Sequence, residues 1–163
     1  MVETFDLIHA SVTPADWGFD AAVEFPPHES GVCLLEPDGV LNPKFNGGVF
    51  DYPGTALHYM TRTPPGYRLF RTVMPGWDNT ARRQDDSVIF SGSTPGAYQA
   101  WLQCALRRTR EQHFGDERLV FVNAWNEWAE GAYLEPDLGW GHAYLEATRD
   151  AQDNQQVSPG ENR

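Results

Sequence analysis

Three short apolar runs recur along the chain, each stopped by Pro, Gly or Asn and each followed by a stretch with helical spacing. The pattern predicts strands near 19–25, 68–74 and 118–124. Pro26-Pro27 stops the first, and the Gly-, Pro- and Asn-rich stretch 28–53 then reads as a loop. Loops of that length are usually functional or disordered. A short helix is expected over 54–62, with Ala56, Leu57 and Met60 facing inward. Pro75-Gly76 ends the second strand, and a polar loop over 77–83 leads towards the clearest helix. Thr94 can cap that helix, Pro95 suits its first turn, and Tyr98, Trp101, Leu102, Ala105 and Leu106 recur at i, i+3, i+4, i+7 and i+8. Arg107, Arg108 and Arg110 favour the dipole at its end, and Gly115 can close it. The third run, Leu119-Val120-Phe121-Val122, is continuous, as in a parallel strand buried on both faces. A last helix is expected over 139–151, with Tyr144, Leu145 and Thr148 inward. The polar stretch 152–163 is expected to be a disordered tail.

Strands alternating with helices predict parallel βα units, an α/β fold. In such folds, polar groups at the C-terminal ends of the strands build the site. All three ends here carry a carboxylate beside an aromatic: Glu24-Phe25, Trp77-Asp78 and Glu127-Trp128. Glu24, Trp77 and Glu127 are therefore expected at one edge of a sheet, around a shared pocket.

Charge and composition narrow the partners. Twelve Lys and Arg against 23 Asp and Glu give a net charge of −11, which argues against nucleic acid. No apolar run approaches the roughly 18 residues of a membrane span. The first six residues carry two acids and no basic group, unlike a secretory signal. Cys33 and Cys104 form no CxxC, so they read as reduced thiols of a cytoplasmic protein. Aromatic residues make up 13% of the chain, and most of the six Trp stand beside Gly, Asp or Asn. Indoles in such settings either present faces to sugar C–H surfaces or anchor loops.

Glu127 and Glu130 lie three residues apart just past the third strand. If the chain turns helically there, both face one side; if it stays extended, they point to opposite faces. A pair on one wall suits glycosidic-bond chemistry, with one carboxyl protonated and the other ionised. The alternative is an acidic surface turn. Asp78 and Asn79 either bind sugar hydroxyls or make an Asx-type turn after Trp77. Arg82 and Arg83 either reach an anionic sugar or nucleotide phosphate, or form a solvated face. His28 either touches substrate or anchors its loop. Glu135 and Asp137 either cap the last helix or rim the pocket. His9, His28, His58, His113 and His142 show no ligand spacing, and no Gly-rich nucleotide motif occurs, so no metal or cofactor is expected.

The string from Phe121 to Asp137, FVNAWNEWAEGAYLEPD, closely resembles the signature of WbsX-type proteins, bacterial polysaccharide-biosynthesis proteins with a domain similar to glycoside hydrolase family 99. The stretches GFDAAVEFPPH, PGWDNTARR, STPGAYQAWL and GHAYLEA resemble the same pattern, so the likeness covers most of residues 18–150. The resemblance implies a (β/α)8 barrel acting on glycans, since family 99 enzymes are endo-acting, retaining α-mannosidases. It makes Glu130 the general acid/base and Glu127 the group that deprotonates the sugar's 2-hydroxyl, giving an anhydro-sugar intermediate. Between them stands Ala129, where family 99 enzymes typically carry His. Around this pair, Trp77, Asp78, Asn79, Trp125, Asn126 and Trp128 are expected to bind substrate. Glu24, His28 and Tyr133 complete the expected set.

A complete barrel takes about 250 residues, with roughly 200 as a lower limit. Residues 1–151 are therefore expected to form the C-terminal portion of a barrel, about three βα units, from an internal start or a longer protein. Unpaired barrel edges would invite self-association. The functional expectation is a carbohydrate-active, glycan-processing protein, endo-glycosidase-like or transferring sugars, in bacterial surface polysaccharide and lipopolysaccharide biosynthesis. The alternative is a non-catalytic truncated remnant or glycan-binding fragment.

Overall fold

The computed structural model describes residues 2–3, 12–28, 34–36 and 39–153. Its strands are β1 (Val2–Glu3), β2 (Ala22–Val23), β3 (Leu34–Leu35), β4 (Gly48–Asp51) and β5 (Leu69–Val73). They continue with β6 (Trp77–Asp78), β7 (Val88–Ser91), β8 (Val120–Val122), β9 (Asn126–Glu127) and β10 (Ala132–Tyr133). The α-helices are α1 (Tyr52–Thr61), α2 (Thr80–Arg83), α3 (Pro95–Gln112) and α4 (Ala143–Asp153).

The expected α/β architecture is present. Strands β1, β2, β5 and β8 form one parallel sheet in chain order, with Ala22 paired to Leu69 and Thr72 to Phe121. All three expected strand windows contribute to it. The first pairs over only two residues, since Gly18 takes a left-handed turn before it and Pro26-Pro27 follows. Alternation gives the sheet two faces. Val73, Val120 and Val122 pack into a core with Tyr52, Tyr59, Trp101 and Leu102 of α1 and α3. Phe70 and Phe121 lie on the other face, ring centroids 6.4 Å apart.

A second sheet, β3-β4-β7-β6, was not expected. It takes Leu34–Leu35 and Gly48–Asp51 from the stretch read as a loop over 28–53, and also takes in Trp77 and Asp78. Its strands are only two to four residues long, so neither periodicity nor length marks them in sequence. Part of that stretch, like Cys33 and His9, lies outside the described residues.

Helix α3 starts as expected: the Thr94 hydroxyl accepts from the Ala97 amide at 3.2 Å, and Tyr98, Trp101, Leu102 and Ala105 are buried. It ends before Gly115. His113 leaves the helix in extended conformation, its Nε2 3.1 Å from the Leu69 carbonyl and its ring stacked on Phe70. Helix α1 is capped by Asp51, which accepts from the Gly54 amide at 2.8 Å. Leu57, expected inside, is 56% exposed; Tyr52, Thr55, Ala56 and Tyr59 fill the inner face. Helix α4 begins four residues later than expected, because Asp137 first accepts from the Trp140 amide in a turn. Among the described residues no helix is long and apolar enough to cross a membrane.

Candidate functional site

Parallel strands leave the sheet on the same side, so the segments after β2, β5 and β8 meet at one edge. A cleft of about 520 Å³ opens there. Phe25, Pro27 and His28 from the β2 end line one wall, and Trp77 and Asn79 from the β5 end another. Glu130, beyond the β8 end, closes the inner side. Phe50, Val88 and Phe90 come from the second sheet, the two Phe rings stacked at 5.2 Å. Arg82, Arg83 and Asp86 stand around the polar side.

The walls are tied together by local chemistry. The Asn123 side chain donates to the Pro26 carbonyl at 2.7 Å, joining the β8 end to the β2 end. The Tyr59 hydroxyl donates to the His28 carbonyl. Asn79 anchors the β5 side: its Oδ1 accepts from the Val88 amide at 2.7 Å, and its carbonyl accepts from the amides of Arg82 and Arg83. Trp77 is almost fully buried, and its Nε1 has no hydrogen-bond partner among the described residues. Asp78 is exposed and its Oδ1 accepts from the Thr80 amide at 2.9 Å, the Asx-type turn of the two alternatives.

Glu127 and Glu130 separate. Asn126 and Glu127 are extended in the β9–β10 hairpin, where Glu127 pairs with Ala132. Only Trp128–Glu130 turns helically, as one 3-10 turn. Glu130 is buried, and one of its oxygens is ion-paired with Arg82. Glu127 is exposed and does not line the cleft. The expectation that both carboxylates face one cleft walled by Trp125, Trp128 and Trp77 is thus corrected to Glu130 with Trp77. The spacing spans two backbone conformations, so it sets no common face.

Trp125 and Asn126 are exposed, and the Trp125 carbonyl accepts from the amides of Leu134 and Glu135. Trp128 stacks on Tyr133, centroids 3.8 Å apart, and its Nε1 donates to Glu135 at 2.6 Å. These two rings border a separate groove with Asp137 and Trp140. Burial and the nearby Asp137 charge raise the Tyr133 pKa. The amide of Trp140, together with other donors, holds Asp137 below the usual carboxylate range.

Glu24 also departs from expectation. It sits at the predicted edge but is wholly buried, paired to Arg62 at 2.8 Å and Arg71 at 3.0 Å, and accepts from the Thr72 amide. It does not line the cleft. A buried carboxylate is stable only when compensated in this way. Burial lowers the Arg71 pKa, and the Glu24 charge opposes that shift. The apolar walls Phe50, Val88 and Phe90 were not foreseen, because they belong to the unexpected second sheet.

Fold and site together define an α/β domain whose parallel strands deliver an aromatic cleft with a buried carboxylate to one edge. The family model described as Glycosyltransferase WbsX matches residues 1–148, and the chain belongs to that family. It is 44% identical over 139 residues to "Uncharacterized protein WxcX" of Xanthomonas campestris pv. campestris (strain B100), covering 85% of this chain and 20% of that protein. The protein of the same name from a second strain of the pathovar is 43% identical over the same length. The chain therefore spans about a fifth of the length of these relatives. Among solved structures, a "Glycoside hydrolase-like protein" aligns with 82% of this chain and 37% of its own, at TM-score 0.49 and 13% identity.

Proposed function

We propose that this chain handles a glycan in the cleft at the C-terminal edge of its parallel sheet, as part of a sugar-transferring or glycoside-cleaving protein of bacterial surface polysaccharide biosynthesis. The carrying observation is Glu130, a buried carboxylate beside Trp77, Phe25 and Phe90. Aromatic walls fit the C–H faces of a pyranose, and a carboxyl group between them can pass a proton to or from a glycosidic oxygen. The family to which the chain belongs, described as a glycosyltransferase, agrees with sugar chemistry.

In this reading Glu130 is the general acid/base. Glu127 is the second carboxylate, acting on the 2-hydroxyl of a sugar that reaches beyond the cleft to the exposed hairpin. The sheet is a sector of a (β/α)8 barrel. Its order β1-β2-β5-β8 advances in one direction without the reversal of a doubly wound sheet. The face bearing Phe70 and Phe121 would be the barrel interior.

A second reading, glycan binding without turnover, is favoured by the Arg82–Glu130 ion pair, which occupies the proton-transfer group. The test is turnover or transfer on mannose-containing oligosaccharides by the protein carrying this chain. Glu130→Gln should lower it about 10²–10⁴-fold, most for poor leaving groups. Glu127→Gln should slow every substrate with a free 2-hydroxyl. Unchanged turnover in both variants would refute the assignment, and binding without parent turnover would select the second reading.

A further inference from the structure

Two guanidinium groups stand at the cleft mouth of a chain whose net charge is −11. They have different neighbours. Arg82, with its side chain 56% exposed, reaches inward to Glu130. The exposed Arg83 side chain has no ion pair or hydrogen-bond partner among the described residues. Of the other polar lining groups, Asp86 meets the Asn46 amide at 3.5 Å, and His28 lies on the opposite wall, edge-on to Phe25.

The backbone holds both arginines in place at a cost. Their amides are bonded to the Asn79 carbonyl at 3.0 and 2.8 Å, and Gln84, the next residue, sits at φ +49°. A non-glycine residue at positive φ persists only where its surroundings enforce it, and such residues cluster at functional sites. Below the arginines, Trp77 contributes an indole to the cleft with an unpartnered, buried N–H.

We propose that the cleft selects a pyranoside bearing an anionic group, carboxylate or phosphate. Arg83 binds the anion first, and Arg82 then moves from Glu130 to the same anion. This rests on the glycan reading above and names its substrate class. Arg suits the role because its planar fork matches carboxylate and phosphate oxygens. The exchange replaces one ion pair with another, so Arg82 is not left unpaired, and it frees the Glu130 oxygen as the ligand enters. Arg82 and Arg83 are thus specificity-determining residues, and Arg82 positions Glu130.

Calorimetric titration of the full chain tests this with mannose 1-phosphate, mannuronate and methyl α-mannoside, their gluco counterparts, and inorganic phosphate and acetate alone. The anionic pyranosides should bind about tenfold or more tightly than the neutral glycoside. Preference for only one of them identifies the anion as phosphate or carboxylate and supports the proposal. Arg83→Gln should bring the anionic-to-neutral ratio towards one. Glu130→Gln, which releases Arg82, should raise it, and adding Arg82→Gln should abolish that gain, which the lost charge of Glu130 alone would leave in place. Equal binding of neutral and anionic pyranosides overturns the anion selection while leaving the glycan reading intact. Inorganic phosphate or acetate binding as tightly as the sugar anions, or no binding of any probe, overturns both.

Discussion

At Gly131 the chain turns at φ +61°, and a Cβ there would lie 2.8 Å from the Asp78 nitrogen and 2.9 Å from its carbonyl oxygen. The turn that carries Glu130 is thereby pressed against the segment that carries Trp77. Gly131→Ala would meet both an unfavourable backbone conformation and a backbone clash. It should cost about 2 kcal/mol or more in denaturant unfolding and weaken ligand binding in the cleft. A Gly131→Ala variant as stable as the parent would show that the two segments are not in close contact. The residue scale also explains which site readings were legible. The Asx alternative for Asp78 needs only the next two residues, and the local sequence contains it. Glu24 looks like a site carboxylate from its neighbours, but its partners Arg62 and Arg71 come from distant segments.

The most legible elements are those with strong internal periodicity. Helix α3 repeats its apolar side chains at helical spacing and buries the face that the spacing predicts. Helix α1 is shorter and its mixed sequence admits two inner faces; Tyr52 and Tyr59 take the core beside Trp101, and Leu57 is left outside. The packing of α3 on α4 has a pH signature. Tyr98 of α3 shares a hydrogen bond of 3.1 Å with Thr148 of α4, and burial pushes its pKa up to about 12. Its folded pKa therefore lies above the unfolded value of about 10, so the neutral phenol is favoured by folding. That contribution is fully present below pH 10 and is lost as pH rises towards 12, at up to a few kcal/mol. The buried Tyr52, also raised, adds to the same slope. Equilibrium unfolding from pH 9 to 12 should show falling stability, and Tyr98→Phe should flatten the slope. The same slope in Tyr98→Phe would place the alkaline sensitivity elsewhere.

In the whole molecule, the parallel sheet ends at β8, which has no strand on its far side among the described residues. Leu119 and Phe121 near that edge are 44% and 36% exposed. Unpaired strand edges with apolar neighbours template further pairing. The 163-residue chain alone should therefore self-associate, its sedimentation-average mass and melting temperature rising with concentration. A monomer with a concentration-independent melt would show that this edge is already satisfied.

The α/β class, the three parallel strands, the long helix with its cap, and the aromatic and acidic residues at the strand ends are all legible along the chain. Each rests on local information: apolar periodicity, capping chemistry, or a short motif. Tertiary structure alone decided which of those residues share a cleft. The second sheet, whose short strands leave little trace in sequence, sets Phe50, Val88 and Phe90 beside Trp77. The break between the extended β9 and the single turn after it sends Glu130 inward and leaves Glu127 exposed. The Arg82–Glu130 pair joins residues 48 positions apart. Spacing along a chain fixes a side chain's direction only while one backbone conformation continues, and here it changes between the two carboxylates.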